Sequence, residues 1–469
     1  MKRLLLMIAI AGLLSATVLT SCKKETTDNT TTEDTTSTLY TEENGVITIL
    51  DRGKGTGDKT FTADKEWVLD GLVFVNAGQT LTIEAGTIIK GKPGEGVDAS
   101  ALIVARGAKI NAIGTATSPI IFTGQGNLSN ETGMWGGVIV LGSAKLNTTP
   151  STQMIEGIDT GEPRGEFGGD NDLDNSGTIK YVSIRHGGSN IGADNEINGL
   201  TLGGVGAGTT IDYVEIIYNK DDGIEFFGGA AQVKHALVAY CGDDSYDYDM
   251  GYRGYGQFWV SIQNGDSDRN GEHDGGTNPE TAEPYATPTI FNATYIGADG
   301  SDSKTITFRD NAGGFYYNSI FSNIAKGIDI ERLNEDDGNL KESSYSRFNQ
   351  AGANAHLKIS GNIFSNVATQ ADANNPTKLI KFQTYQGKDS NGKNKKIKMS
   401  AADSTMIANY FGEAYNEVQS LGISKENPTT TASVTTPVIY PTEFFDNVSY
   451  NGAFGATNWA KGWTLTYKN

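Results

Sequence analysis

The chain has 469 residues, 56 of them acidic and 37 basic, for a formal net charge of −19. Such a surface repels polyanions and offers no basic stripe, which excludes nucleic acid as a partner and makes cations the natural small ones. Gly at 59 against Pro at 11, with 20% charged residues and no long charge blocks, excludes collagen-like and broadly disordered chains.

Residues 1–21 carry Lys2 and Arg3, the apolar run LLLMIAIAGLL, then the start of LTSC. A basic start, a short apolar stretch and small residues before a cut make a secretory signal, too short to span a membrane as a helix. Leu19-Thr20-Ser21-Cys22 fits a bacterial lipobox, so Cys22 is the expected lipidation site and the membrane is met through a lipid anchor. With Cys22 acylated, only Cys241 remains. No disulfide then forms within the mature chain, and Cys241 reads as a small buried thiol. Residues 22–41 are polar and Thr-rich and read as a flexible tether, leaving 42–469 as a single folded domain.

From Val46 onward the chain alternates: VITIL, WVLDGLVFV, LTIEAGTIIKG, ALIVARGAKI and PIIFTG are short runs rich in Val and Ile, most closed by Gly or Asn. These are strand signals with turns at fixed offsets. Residues 209–251 then repeat themselves. Ile211 aligns with Val233, Val214 with Ala236, Ile216 with Val238, and Asp221-Asp222 with Asp243-Asp244, at a constant step of 22 residues. Two strands per period, Gly/Asp turns and no helical spacing predict an all-β chain, one coil of a parallel β-helix per period. Trp67 is placed to cap the first coil, and Trp459 and Trp463 the last.

LTIEAGTIIKG, ALIVARGAKINAIGTATSPIIFTG, WGGVIVLGSAKLN, EINGLTLGGVGAGTTIDYVEI, DDGIEFFGG and the closing GAFGATNWAKGWT resemble a large family of right-handed parallel β-helix surface lipoproteins of Bacteroidota. Lys23-Lys24-Glu25 is similar to the charged export tags of such proteins. The resemblance implies a fold and a place, the outer membrane with the body exposed at the cell surface. It implies no activity.

The stretch from about 332 to 440 carries none of those motifs and reads as insertion-rich. NSIFSN at 318–323 and GNIFSN at 361–366 are nonetheless a second self-match, so coils continue, and Asn323 and Asn366 are placed to stack their amides. Ile407, Tyr410, Phe411, Tyr415, Val418 and Leu421 fall at helical spacing behind Asp403 or Ser404, which predicts one amphipathic helix packed on the coils.

Stacked coils lie about 4.8 Å apart, so Glu225 over Asp247 brings like charges together. Alternation turns Ile224, Phe226, Tyr246 and Tyr248 inward and leaves Glu225, Asp247 and Asp249 outside, where repulsion favours a retained proton or a bridging cation. If the protein is an enzyme, these three carboxylates and Arg253 are its catalytic candidates; Tyr252, Tyr255 and Trp259, with Phe258, are the candidate rings for stacking a sugar. Two loops carry the alternating oxygens of a calcium loop, Asp266, Asp268 and Asn270 in one and Asp170, Asp172 and Asp174 in the other. Both lack Glu at the twelfth position, so calcium is a candidate cofactor on a partial match. His186, His235, His273 and His356 are scattered, which disfavours zinc, and His273 reads as an exposed loop residue. Two readings follow. One is a surface lipoprotein presenting a binding face to a glycan or an outer-membrane partner protein, supported by calcium. The other is a carboxylate-dependent polysaccharide lyase or glycoside hydrolase.

Overall fold

The computed structural model describes residues 38–192, 195–277, 279–298, 302–348, 355–369, 371–434 and 440–468. The signal segment, Cys22 and the tether up to residue 37 lie outside them. Among the described residues no helix is long and apolar enough to cross a membrane.

The fold is a parallel β-helix built from two large sheets, one of 19 strands and one of 12. The 22-residue step is the coil: Ile211 pairs with Val233, Val214 with Ala236 and Ile216 with Val238 in the first sheet, and Glu225 with Asp247 in the second. Pleat alternation then stacks one side chain per coil into an interior column. In the second sheet this column runs Val104, Val140, Leu202, Phe226, Tyr248, His273, Phe308 and Ile330, all buried. Each large apolar member contributes about 1.5–3 kcal/mol by leaving water. His273 is thus a core residue, with no exposed surface, and the loop reading given to it is corrected.

Each coil has three sides because the first sheet is bent. Tyr181, Tyr213, His235 and Phe258 stand at one corner of four successive coils with φ between 48 and 59°, a left-handed conformation that each non-glycine residue adopts at a cost. Stacking offsets that cost: ring centroids are 4.4 Å apart for Tyr181 and Tyr213, 4.1 Å for Tyr213 and His235, and 4.8 Å for His235 and Phe258. In later coils asparagines take the corner, with Asn292 and Asn318 at φ 55 and 52°. At the next corner Asn366 Nδ2 donates to Asn323 Oδ1 at 2.9 Å, the amide pair that the two NIFSN-like motifs predict. Gly223 marks the turn into the second sheet, where a Cβ would lie 2.3 Å from Val238 and 2.7 Å from the Ser245 carbonyl.

The ends are closed differently from expectation at one of the two. At the start, Leu39–Glu43 pairs antiparallel with Val46–Leu50, and Trp67 stacks on Phe61 at 4.2 Å. At the far end the cover is the helix Ala401–Glu413, which begins at Ser400 through a capping box with Asp403 and buries Ile407 and Phe411. Tyr415 and Val418, expected in that helix, lie beyond it and are exposed. Trp459 and Trp463 are no end cap. Their edges pack on the stacked rings of Tyr181, Tyr213 and His235, on the outer face of the first sheet.

They belong to a C-terminal strap. Ile423, Val434, Ala453, Phe454 and Ala460 cover the outward apolar face formed by Ile217, Leu237, Val260, Ile262 and Ile296. Its last turn is held by the buried Glu215 carboxylate, which accepts from Leu465 N at 2.8 Å, Thr466 N at 2.9 Å and Thr466 Oγ1 at 2.8 Å, besides Ser183 Oγ at 2.5 Å. Replacing Glu215 by Ala orphans those donors, and we expect a loss of about 3 kcal/mol in chemical denaturation followed by tryptophan fluorescence. A loss within experimental error would mean that the strap holds without this anchor.

Candidate functional site

The outer face of the second sheet changes character along the molecule. In the early coils it is apolar: Phe74, Ile103, Ile139, Leu141 and Phe227 are covered by Leu146, Ile155, Ile158 and Phe167 of an insertion between strands. Where that cover ends the outward positions become acidic. One column continues from Ile139 through Thr201, Glu225, Asp247 and Glu272 to Thr307 and Asp329. Beside it stand Asp249, Asp274 and Glu331, and at the turn Asp222 and Asp244.

Backbone donors fix the turn carboxylates, since Asp222 Oδ1 accepts from Asp244 N at 2.8 Å and Asp244 Oδ1 from Arg269 N at 2.6 Å. Charge compensation is uneven. Arg269 pairs with Asp268 and Glu272, each at 2.6 Å, and Arg309 with Glu272 at 2.8 Å and Asp274 at 2.6 Å. By contrast Asp222, Glu225 and Asp247 have no ion pair with Lys or Arg among the described residues. They offer oxygens within 4.8 Å of one another. Glu225 accepts from Asn198 Nδ2, and Asp247 Oδ1 is buried with no hydrogen-bond partner.

Desolvation is the first cause and acidic neighbours the second of the raised carboxyl pKa values here. Burial and the Asp247 charge hold Asp222 and Glu225 well above the usual range, and burial with Asp274 and Glu272 does the same for Asp247. Farther along, burial and the Asp310 charge push Glu331 up to about 7, while burial and Asp274 push Asp310 up to about 6. Asp310 N donates to Glu331 Oε2 at 3.1 Å. The face therefore gathers three carboxylates, two buried and one half-buried, in an arrangement that could hold a cation and, separately, carboxyls whose pKa values are pushed toward neutrality.

Of the residues singled out from sequence, Glu225, Asp247 and Asp249 do stand on this face, with Asp249 tied to Met250 N and Thr277 Oγ1. The others are corrected. Arg253 is a strut: its guanidinium pairs with Asp172 at 2.7 Å and donates to the Gly251 and Lys145 carbonyls. Tyr252 and Trp259 lie wholly inside the coil, donating to the carbonyls of Ala231 and Val233, so neither presents a ring to a ligand. Tyr255 is half-buried against Phe444 and Phe445 of the strap, and Phe258 is buried on the outer face of the first sheet.

Neither acidic loop gathers its oxygens on a point. Asp172 is spent on Arg253 and Lys145 N, and Asp174 on Ser143 and Ser176, while Asp170 shares no described interaction with them. Asp268 pairs with Lys304 and Arg269, Asn270 is buried against Ser261 and Gln263, and Asp266 is exposed. Sequence reading missed Glu272, Asp274, Arg309, Asp310 and Glu331. The one signal for them was the register of the outward column, and it is hidden because the step between coils grows from 22 residues to 25 and then 35. Cys241 is buried as expected, and burial pushes its thiol up to about 12, which leaves it inert.

A family model described as a pectate-lyase-like beta helix domain matches residues 53–464, through the insertion-rich stretch as well. No curated protein and no solved structure matches.

Proposed function

The chain belongs to the pectate-lyase-like beta helix domain family, and we propose that it is a lipid-anchored surface protein that binds glycan on the acidic face of its second sheet through a divalent cation. Asp222, Glu225 and Asp247 hold the cation. The observation that carries this is their clustering within 4.8 Å with Asp247 Oδ1 unpartnered. Calcium takes six to eight oxygens at about 2.3–2.6 Å, more than three carboxylates supply. The open positions suit the hydroxyls or carboxylate of a sugar. The anchor at Cys22 and the outer-membrane location rest on the sequence signal alone, and the cation replaces the tyrosine and tryptophan platform as the basis of recognition.

A second reading has its own observation. Burial and acidic neighbours push Glu331 up to about 7 and Asp310 up to about 6, beside the Arg309-paired Asp274. A carboxyl that keeps its proton near an ionised one is the arrangement that glycosidic cleavage uses.

Incubating the protein with a polysaccharide panel in calcium or in chelator separates the two. Retention on a glycan in calcium, lost in chelator and in Glu225→Gln and without new reducing ends or unsaturated products, supports the binder. Products formed by wild type but at least about a hundredfold slower in Glu331→Gln support the enzyme. Neither retention nor product would overturn both.

A further inference from the structure

A recess lies away from the acidic face, at the corner where the first sheet turns toward the second and where the strap begins. It measures about 390 Å³ and is walled by Tyr240, Gln263, Asn264, Asn323, Lys425 and Glu426, with the buried Ile262 and Ile296 behind them. That volume is within the range of small-ligand sites.

Its polar groups are not all used. Gln263 is 3% exposed; its Oε1 accepts from Asn270 Nδ2 at 3.1 Å, which fixes the amide orientation, and its Nε2 is buried with no partner. A buried donor without an acceptor costs about 1–3 kcal/mol unless something fills the place. Asn264 uses its Oδ1 to cap the turn, accepting from Asp266 N at 3.0 Å and Ser267 N at 3.2 Å, and its Nδ2 has no partner among the described residues. Asn323, in contrast, is satisfied by Ile423 O and Asn366. Lys425 and Glu426 stand 3.8 Å apart at the rim and leave donor and acceptor capacity to a ligand, while Tyr240 is backed by Tyr218 at 5.4 Å.

We propose that this corner recess binds a neutral pyranose, such as the end sugar of a glycan chain. Each sugar hydroxyl both donates and accepts, which matches the Asn264 amide donor, a lysine and a carboxylate around an apolar back wall, with the unpartnered Gln263 amide buried just behind them. The net charge of −19 disfavours an anionic sugar at a site with a single cationic group that is already partly neutralised. The site is separate from the cation cluster and does not depend on it.

The test uses the full-length protein and the methyl pyranosides of glucose, galactose and mannose, followed by saturation-transfer NMR. Saturation transfer to at least one of the three is expected. The double variant Asn264→Asp with Lys425→Gln keeps the Oδ1 turn cap, so its melting temperature should hold while affinity falls about tenfold, the value of one good hydrogen bond. All measurements are made in EDTA, which removes any cation from the acidic face, so failure of this site and failure of the cation reading are seen independently. No transfer from any of the three in EDTA, equal affinity in the double variant, or tighter binding of glucuronate than of glucose would each overturn the proposal.

Discussion

Replacing Asp247 by Asn should raise the melting temperature of the calcium-free protein at pH 8 and abolish the further rise that calcium gives wild type. Asp247 sits among Asp222, Glu225, Asp244, Glu272 and Asp274, and burial with these charges raises the carboxyls of Asp222, Glu225, Asp244 and Asp247. A carboxyl raised on folding favours the protonated native state. Its contribution is therefore complete below the ordinary carboxylate range and is lost as pH rises through the folded value. For Glu331 that window runs from 4.5 to about 7, and for Asp310 from 3.8 to about 6. Stability without calcium should accordingly fall from pH 4.5 to pH 7. Calcium binds the ionised form, so it competes with protons and should stabilise little at pH 5 and most at pH 8. At a concentration of 100 times its dissociation constant the gain is about 2.7 kcal/mol. Neutralising Asp247 removes one of several crowded like charges from a site short of water, so the calcium-free protein gains stability. Scanning calorimetry across pH with calcium or chelator measures all of this. A destabilised Asp247→Asn protein that still responds fully to calcium would remove the three-carboxylate site.

The largest effect of a single substitution is expected at Trp259. The indole is wholly buried, stacks on Tyr246 at 4.6 Å and on Phe226 at 5.6 Å, and donates to the Val233 carbonyl at 2.9 Å. Truncation to Ala leaves a cavity inside the coil, beside Tyr246 and Phe226, and removes the indole's bond to the Val233 carbonyl, for a loss of about 3–5 kcal/mol in urea denaturation. Tyr255→Ala should cost much less, because that ring is only half-buried against the strap. Any loss of glycan retention in Trp259→Ala should scale with the unfolded fraction and return on cooling. Retention lost at full native signal would put the indole back in contact with ligand.

The contrast between Trp259 and Glu225 shows what a single sequence can reveal here. Glu225 and Asp247 were legible because a 22-residue step and unbroken alternation fix both the register and the side of the strand. Trp259 was not, because Phe258 takes a left-handed turn within its strand and resets the alternation, so that Trp259 points inward beside Ala236. Tyr252 lies in a turn, where period-two reasoning has no hold, and its ring folds over Phe226 at 4.3 Å. The two acidic loops match calcium spacing because Asp and Asn also cap turns and pair with neighbouring basic groups, which is the use this chain makes of most of them. Arg309 and Glu331 were hidden by unequal loops between coils that are equal in register. The fold was thus readable wherever coils repeat without insertion, and the site only in its first two coils.

The strap has a bearing on how the molecule comes apart. In a plain solenoid each coil touches only its neighbours, so coils are free to peel away one at a time from an open end. Here the chain crosses back over the stack: Asn323 Nδ2 donates to Ile423 O near the strap's beginning, Asn451 Nδ2 donates to Gly361 O, and the last turn is fixed on Glu215. Coils separated by more than a hundred residues are thereby clasped together. Stepwise fraying gives way to concerted opening, and a protease or a pulling force at the C-terminal end meets the resistance of the whole clasped set instead of the stability of a single coil.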